Sequence, residues 1–108
     1  MGKYGYPLVS AEFMIAKSPD EIAGLRLAGR LTAEVLDQVG AIIKPGITTD
    51  EINDWCHRHI VDNQQAVPAP LNYHGFPKSV CTSVNHVVCH GIPGSKRLVS
   101  GDIINVDV

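Results

Sequence analysis

Apolar and polar positions change rhythm twice along this chain. From Ser18 onward, Ile22, Leu25, Val35, Leu36, Val39, Ile42 and Ile43 recur at helical spacing, which predicts a helix with one buried face. Ser18 is a natural N-cap, Pro19 suits the first helical position, and Glu21 completes a capping box. Pro45-Gly46 stops this helix, while Gly24 and Gly29 within it predict points of close packing. A second helix follows in TTDEINDWCHRHIVDNQ. Thr48 and Glu51 form its capping box, Asp50 and Glu51 suit its positive N-terminal end, and Ile52, Trp55, Cys56, His59 and Ile60 share one face.

Past Gln65 the helical period is lost. AVPAPLNYHGFPKS holds three prolines and a glycine and reads as an ordered loop. VCTSV and HVVCHGI then read as two strands joined by a hairpin turn at Asn85-His86. A loop turning at Ser100-Gly101-Asp102 leads to a last strand, IINVDV. The order predicts an α+β fold, two helices followed by antiparallel strands, without internal repeats. Residues 1–17 read as an irregular arm. Pro7, Ser10 and Glu12 break its apolar run, so it resembles neither a signal peptide nor a membrane anchor.

Composition narrows the partners. With 108 residues the chain makes at most one domain, and 44% hydrophobic residues suffice for a core. Nine Lys and Arg against eleven Asp and Glu give a formal net charge of −2 without a basic cluster. Neither nucleic acid nor a membrane is therefore an expected partner. Cys56, Cys81 and Cys89 contain no C-x-x-C pair, which argues against a disulfide framework or zinc knuckle and for a reducing compartment, the cytoplasm.

Candidate chemistry lies in the second half. His57 and His59 are about 200° apart on a helix and cannot share one ion; both read as structural, and Cys56 as core. In the last strand, alternation puts Ile104, Val106 and Val108 on one face and Ile103, Asn105 and Asp107 on the other. Asp107 is thus either an exposed strand residue or a metal ligand. A dication needs at least three protein ligands, and the acids upstream of Asp107 lie on helices or turns, so its partner ligands are expected beyond Val108 or on another chain. His90 precedes Gly91, which permits close backbone approach, and Tyr73-His74-Gly75-Phe76-Pro77 is a similar cluster. Together they resemble two walls of an apolar pocket; His74 alone reads equally as a turn residue. A Cys89–His90 nucleophile pair is disfavoured, because strand alternation would send Cys89 to the core and His90 to the opposite side.

AGRLTAEVL, KPGITTDEI, YHGFPKSVCTSVNHVVCHGIP and LVSGDIINVDV together resemble the N-terminal part of a type I methionine aminopeptidase, from about Lys17 to Val108. The resemblance implies the first half of a pita-bread fold. Residues 1–16 would be an N-terminal extension and 17–108 the N-terminal half of a catalytic domain whose C-terminal half is absent. It places the first metal-binding aspartate at Asp107, on one of two divalent ions (cobalt, manganese, iron or zinc) bridged by a nucleophilic hydroxide. His90 would contact the scissile amide and assist the leaving group. Tyr73, Phe76 and Cys81 would build the methionine side-chain pocket, with Pro70 at its edge. Several family members carry Cys where Pro70 stands and Tyr where Phe76 stands. The implied substrates are nascent polypeptides beginning with Met and a small residue, which places the work near the ribosome. The remaining metal ligands are expected downstream of Val108, so the chain alone is expected to be inactive. The alternative is a non-catalytic pita-bread module that binds peptide N-termini.

Overall fold

In this computed structural model the described residues are 18–108; the expected N-terminal arm lies outside them. Helix α1 spans Pro19–Ile42, with Ser18 Oγ accepting the Glu21 N–H at 3.1 Å. Helix α2 spans Thr49–Arg58 behind a reciprocal capping box: Glu51 N–H donates to Thr48 Oγ1 and Thr48 N–H to Glu51 Oε2. It runs on into one π-helical turn, His59–Asn63. A loop containing a 3₁₀ turn at Tyr73–Gly75 then leads to strand β1, Cys81–Val84. The last element is strand β2, Ile104–Asp107, which pairs antiparallel with β1.

The core joins α1, α2 and one face of this sheet. Val35, Val39, Ile52, Cys56, Ile60, Val80, Val84 and Leu98 are buried together, with Ile104, Val106 and Val108 packed against them. The expected alternation in the last strand is therefore observed. Polar ties run from α2 to the start of β1. Asn53 Oδ1 accepts the Ser79 N–H at 2.8 Å, His57 Nδ1 meets Ser79 Oγ at 2.7 Å, and Lys78 Nζ donates to Asp50 at 2.8 Å. His59 lies between Glu34 and Asn63 and stacks on Trp55 with ring centroids 5.0 Å apart. Both helical histidines thus have structural partners.

Three expectations fail. On α1 only Val35 and Val39 are buried, while Ile22, Leu25 and Leu36 are exposed. Leu36 lies about 100° round the helix from Val35, off the buried stripe; for Ile22 and Leu25 the reason is length, because α1 is about 36 Å long and α2 about 15 Å, so the first part of α1 runs past its partner. For the same reason Gly24 and Gly29 are not close-packed; a Cβ at either would meet nothing within 4 Å. The third failure is the strand over His86–Ile92. Asn85 turns the chain at φ 53°, and the Val87 N–H closes the turn on the Val84 carbonyl. The segment that follows cannot run as a strand along the free edge of β1, because His90 has φ 53°, and the end of β1 is clamped on its other edge to the start of β2. Asn85 N–H donates to the Ile103 carbonyl, Ile103 N–H to Asn85 Oδ1, and Asn85 Nδ2 to Asp102 Oδ1. Residues 87–92 are left as an irregular segment held to β1 mainly at Gly91, so the described chain has two strands where three were expected.

Candidate functional site

The loop before β1 and the irregular segment after it face each other across one concavity of about 590 Å³. Pro70, Tyr73, Phe76, Cys81 and His90 all line it, as do His74 and Ile92. Five of the six candidate residues read from the sequence thus meet at one place. The loop wall is shaped by two residues in the left-handed backbone region, Asn72 at φ 66° and His74 at φ 47°. Tyr73 and His74 meet edge to face at 4.4 Å, and both are exposed at the rim. Phe76 and Pro70 are half-buried and give the wall its apolar character.

The opposite wall depends on Gly91. Its carbonyl accepts the Thr82 N–H at 2.8 Å and its own N–H donates to Ser83 Oγ at 3.1 Å. This lays the segment flat against β1, with no room for a side chain: a Cβ on Gly91 would lie 2.7 Å from the Thr82 carbonyl carbon. The close approach expected of this glycine is what the chain uses it for. His90, immediately before it, has φ 53° and lines the pocket.

That conformation overturns the reading of Cys89 as core packing. Positive φ is incompatible with a strand, so strict alternation does not hold here. Cys89 is exposed, and it is not among the residues lining the pocket. Buried Cys56 and Cys81 are the packed thiols. Burial pushes the Cys56 thiol up to about 11. Burial also raises Cys81, with smaller contributions from the neighbouring Asp107 and Cys89 side chains. Cys81 is therefore a neutral, apolar wall rather than a nucleophile.

Asp107 does not line the concavity, but the sheet register puts it beside one of its walls. Cys81 pairs with Asp107 and Ser83 with Asn105. Residues directly opposite in an antiparallel pair project to the same face, with Cβ atoms about 5 Å apart. The exposed Asp107 carboxylate thus stands on the pocket face of the sheet, opposite the face that carries Val84, Ile104 and Val106 into the core. An exposed carboxylate on an ordered strand fits one position in the shell of a hard divalent ion. Among the described residues, no three His, Cys, Asp or Glu side chains converge on such a site.

Sequence reasoning missed Ile92 and Ser83. Ile92 had only its place two residues after His90 to mark it as a wall residue. Ser83 carried no signal, because a serine inside a short strand is unremarkable until its hydrogen-bond partner is known.

Among curated proteins, methionine aminopeptidase of Rickettsia prowazekii is 58% identical over 84 residues, covering 78% of this chain and 32% of that protein. The enzyme of Escherichia coli K12 is 53% identical over 93 residues, covering 85% of this chain and 35% of its own length. The chain therefore spans about a third of the length of these relatives. The crystal structure of the Rickettsia prowazekii enzyme superposes with a TM-score of 0.82 at 52% identity, over 87% of this chain and 38% of that one. That of Thermotoga maritima gives 0.78 at 34% identity, over 83% and 36%. Residues 23–108, most of the sequence, match metallopeptidase family M24, and the chain belongs to that family.

Proposed function

We propose that this chain supplies the N-terminal part of a methionine aminopeptidase that removes the initiator methionine from nascent polypeptides in the cytoplasm. The observation that carries the proposal is the meeting of Pro70, Tyr73, Phe76, Cys81 and His90 around one apolar concavity, with Asp107 opposite Cys81 in the adjoining strand. The organisation follows the same reading, with residues 1–16 an extension and 17–108 the first half of a pita-bread catalytic domain. No helix among the described residues is long and apolar enough to cross a membrane.

Chemistry can be assigned to the chain's own residues. The concavity accepts an unbranched thioether side chain against Phe76, Pro70 and Cys81. Burying such a side chain is worth about 1.5–3 kcal/mol, enough to select methionine over smaller residues by ~10- to 100-fold. His90, at the pocket mouth, contacts the scissile amide and supports departure of the amine. Asp107 would contribute one carboxylate to a pair of divalent ions, cobalt, manganese, iron or zinc. When bound, such ions supply a hydroxide nucleophile and polarise the carbonyl.

The test is an assay of the protein encoded by the whole natural reading frame. Release of methionine from Met-Gly and Met-Ala peptides, dependent on added divalent metal, supports the reading. No release with any of the four metals refutes it, and peptide binding without release identifies a non-catalytic N-terminus-binding module instead.

A further inference from the structure

A left-handed histidine at a pocket mouth needs something to hold it there. Outside glycine this region is sparsely populated, because Cβ crowds the backbone, although histidine, like asparagine and aspartate, visits it more often than most residues. His90 at φ 53° still carries a conformational cost, so its surroundings must help to hold it there. Its exposed imidazole receives no support from burial. The restraint comes through the next residue. Gly91 is pinned by the Thr82 N–H on its carbonyl and by its own N–H on Ser83 Oγ.

The two pins differ. The Thr82 bond joins two backbones and would form with any side chain at position 82. The Ser83 bond depends on a hydroxyl at one position. Ser83 is only 4% exposed, so its Oγ lies in a largely dry setting where a hydrogen bond is firm and its loss is felt. Ser83 also shares the pocket face of the sheet with Cys81, Asn105 and Asp107 by register. It thus links the strand face that carries Asp107 to the peptide unit joining His90 and Gly91.

We infer that Ser83 is a positioning residue: its hydroxyl, acting through the Gly91 N–H, locks His90 in the left-handed backbone conformation that presents its imidazole to the pocket. The role of His90 rests on the proposed aminopeptidase reading; the conformational lock does not. Without the hydroxyl, the 90–91 peptide is free to relax towards extended backbone, and the imidazole leaves the pocket for part of the time. Substrate side chains still enter a pocket built by Phe76, Pro70 and Cys81.

The experiment uses the protein from the whole natural reading frame and compares Ser83→Ala, Ser83→Thr, His90→Ala and the double variant Ser83→Ala/His90→Ala. Loss of one neutral hydrogen bond predicts a fall in kcat of about 5- to 10-fold for Ser83→Ala, with KM near its parent value. Ser83→Thr, which keeps the hydroxyl, restores much of the rate. The double variant should match His90→Ala alone, because Ser83 acts only through His90. A Ser83→Ala penalty that persists undiminished in the His90→Ala background overturns the inference, as does a change confined to KM.

A second readout is independent of turnover. In the parent protein, NMR should show the strong intraresidue amide-to-Hα contact of positive φ at His90 and slow exchange of the Gly91 amide. Both should weaken in Ser83→Ala. If His90 keeps that contact without the hydroxyl, the inference fails even in an active enzyme. If the parent releases no methionine, the proposed function fails, and the NMR comparison still decides whether Ser83 holds His90.

Discussion

Replacing Gly91 with alanine should be far more damaging than a single methyl group suggests. The new Cβ would fall inside contact distance of the Thr82 carbonyl oxygen, 2.7 Å from the Thr82 carbonyl carbon and 3.0 Å from Ser83 Cα. All three atoms belong to the backbone of β1, which β2 holds on its other edge, so no flexible side chain can yield. Overpacking of this kind costs about 1–3 kcal/mol. Moving the segment away to relieve it also breaks the hydrogen bonds at 2.8 Å to Thr82 and 3.1 Å to Ser83, each worth about 1 kcal/mol. The sum is about 3–5 kcal/mol, a large part of a small domain's stability. Gly94→Ala is the control, since its nearest atom is the Ile92 carbonyl oxygen at 4.0 Å. Urea unfolding of the protein from the whole natural reading frame, followed by circular dichroism, measures both variants. Gly91→Ala should lower the midpoint by roughly 1–3 M at the usual slope for small domains, and Gly94→Ala by much less. Equal midpoints for the two variants would refute the close approach, and with it the account of how His90 is placed.

The remaining predictions test other parts of the molecule. Thr48→Ala removes the N-cap of α2 and should cost about 1 kcal/mol in thermal or urea unfolding. The same contact sets a pH dependence: the Thr48 backbone N–H first, and its hydroxyl second, hold the Glu51 carboxyl below its ordinary 4.5. Its contribution is present above that value and is lost as pH falls through the lowered one; Thr48→Ala keeps the backbone bond and should make acid unfolding only slightly less steep, whereas Glu51→Gln should remove the pH-dependent part. Iodoacetamide should modify exposed Cys89 first, while buried Cys56, its thiol raised to about 11, reacts only on unfolding; mass spectrometry of the digest reads the order. Asp107→Asn in the protein from the whole reading frame should weaken divalent-metal binding at least 10-fold and activity with it, while the midpoint of unfolding stays near the parent's; an unchanged calorimetric metal titration would remove Asp107 from the ligand set.

What was legible in the sequence was local. The caps of α1 and α2 are written in residues three apart, and the alternation from Ile104 to Val108 needs only the period of a strand. The pocket's side chains stood out because aromatic residues and histidines sat on Gly and Pro scaffolds. What was not legible depends on distant partners. Helical spacing marked Ile22 and Leu25 as a face to be covered, but spacing does not report that α2 ends long before α1 does. The stretch from Val87 to Ile92 has strand composition, yet His90 at φ 53° breaks its extended backbone, and β1 pairs instead with β2, whose entry is clamped to Asn85 by Asp102 and Ile103, more than fifteen positions away in sequence. That same long-range clamp matters for the site. Asn85 Nδ2 donates to Asp102 Oδ1 at 2.9 Å, and Asp102 Oδ2 accepts the Val99 N–H at 2.9 Å. These bonds fix where the chain enters β2 and hence its register. A slip of one residue would exchange the two faces of the strand. Asp107 would then turn to the core face, opposite Thr82 or Val80, and Ile104 and Val106 would turn away from the core. A buried, unpaired carboxylate is costly enough to forbid that pairing. The turn at Asn85 therefore does more than reverse the chain, because it keeps Asp107 opposite Cys81, on the same side of the sheet as the pocket.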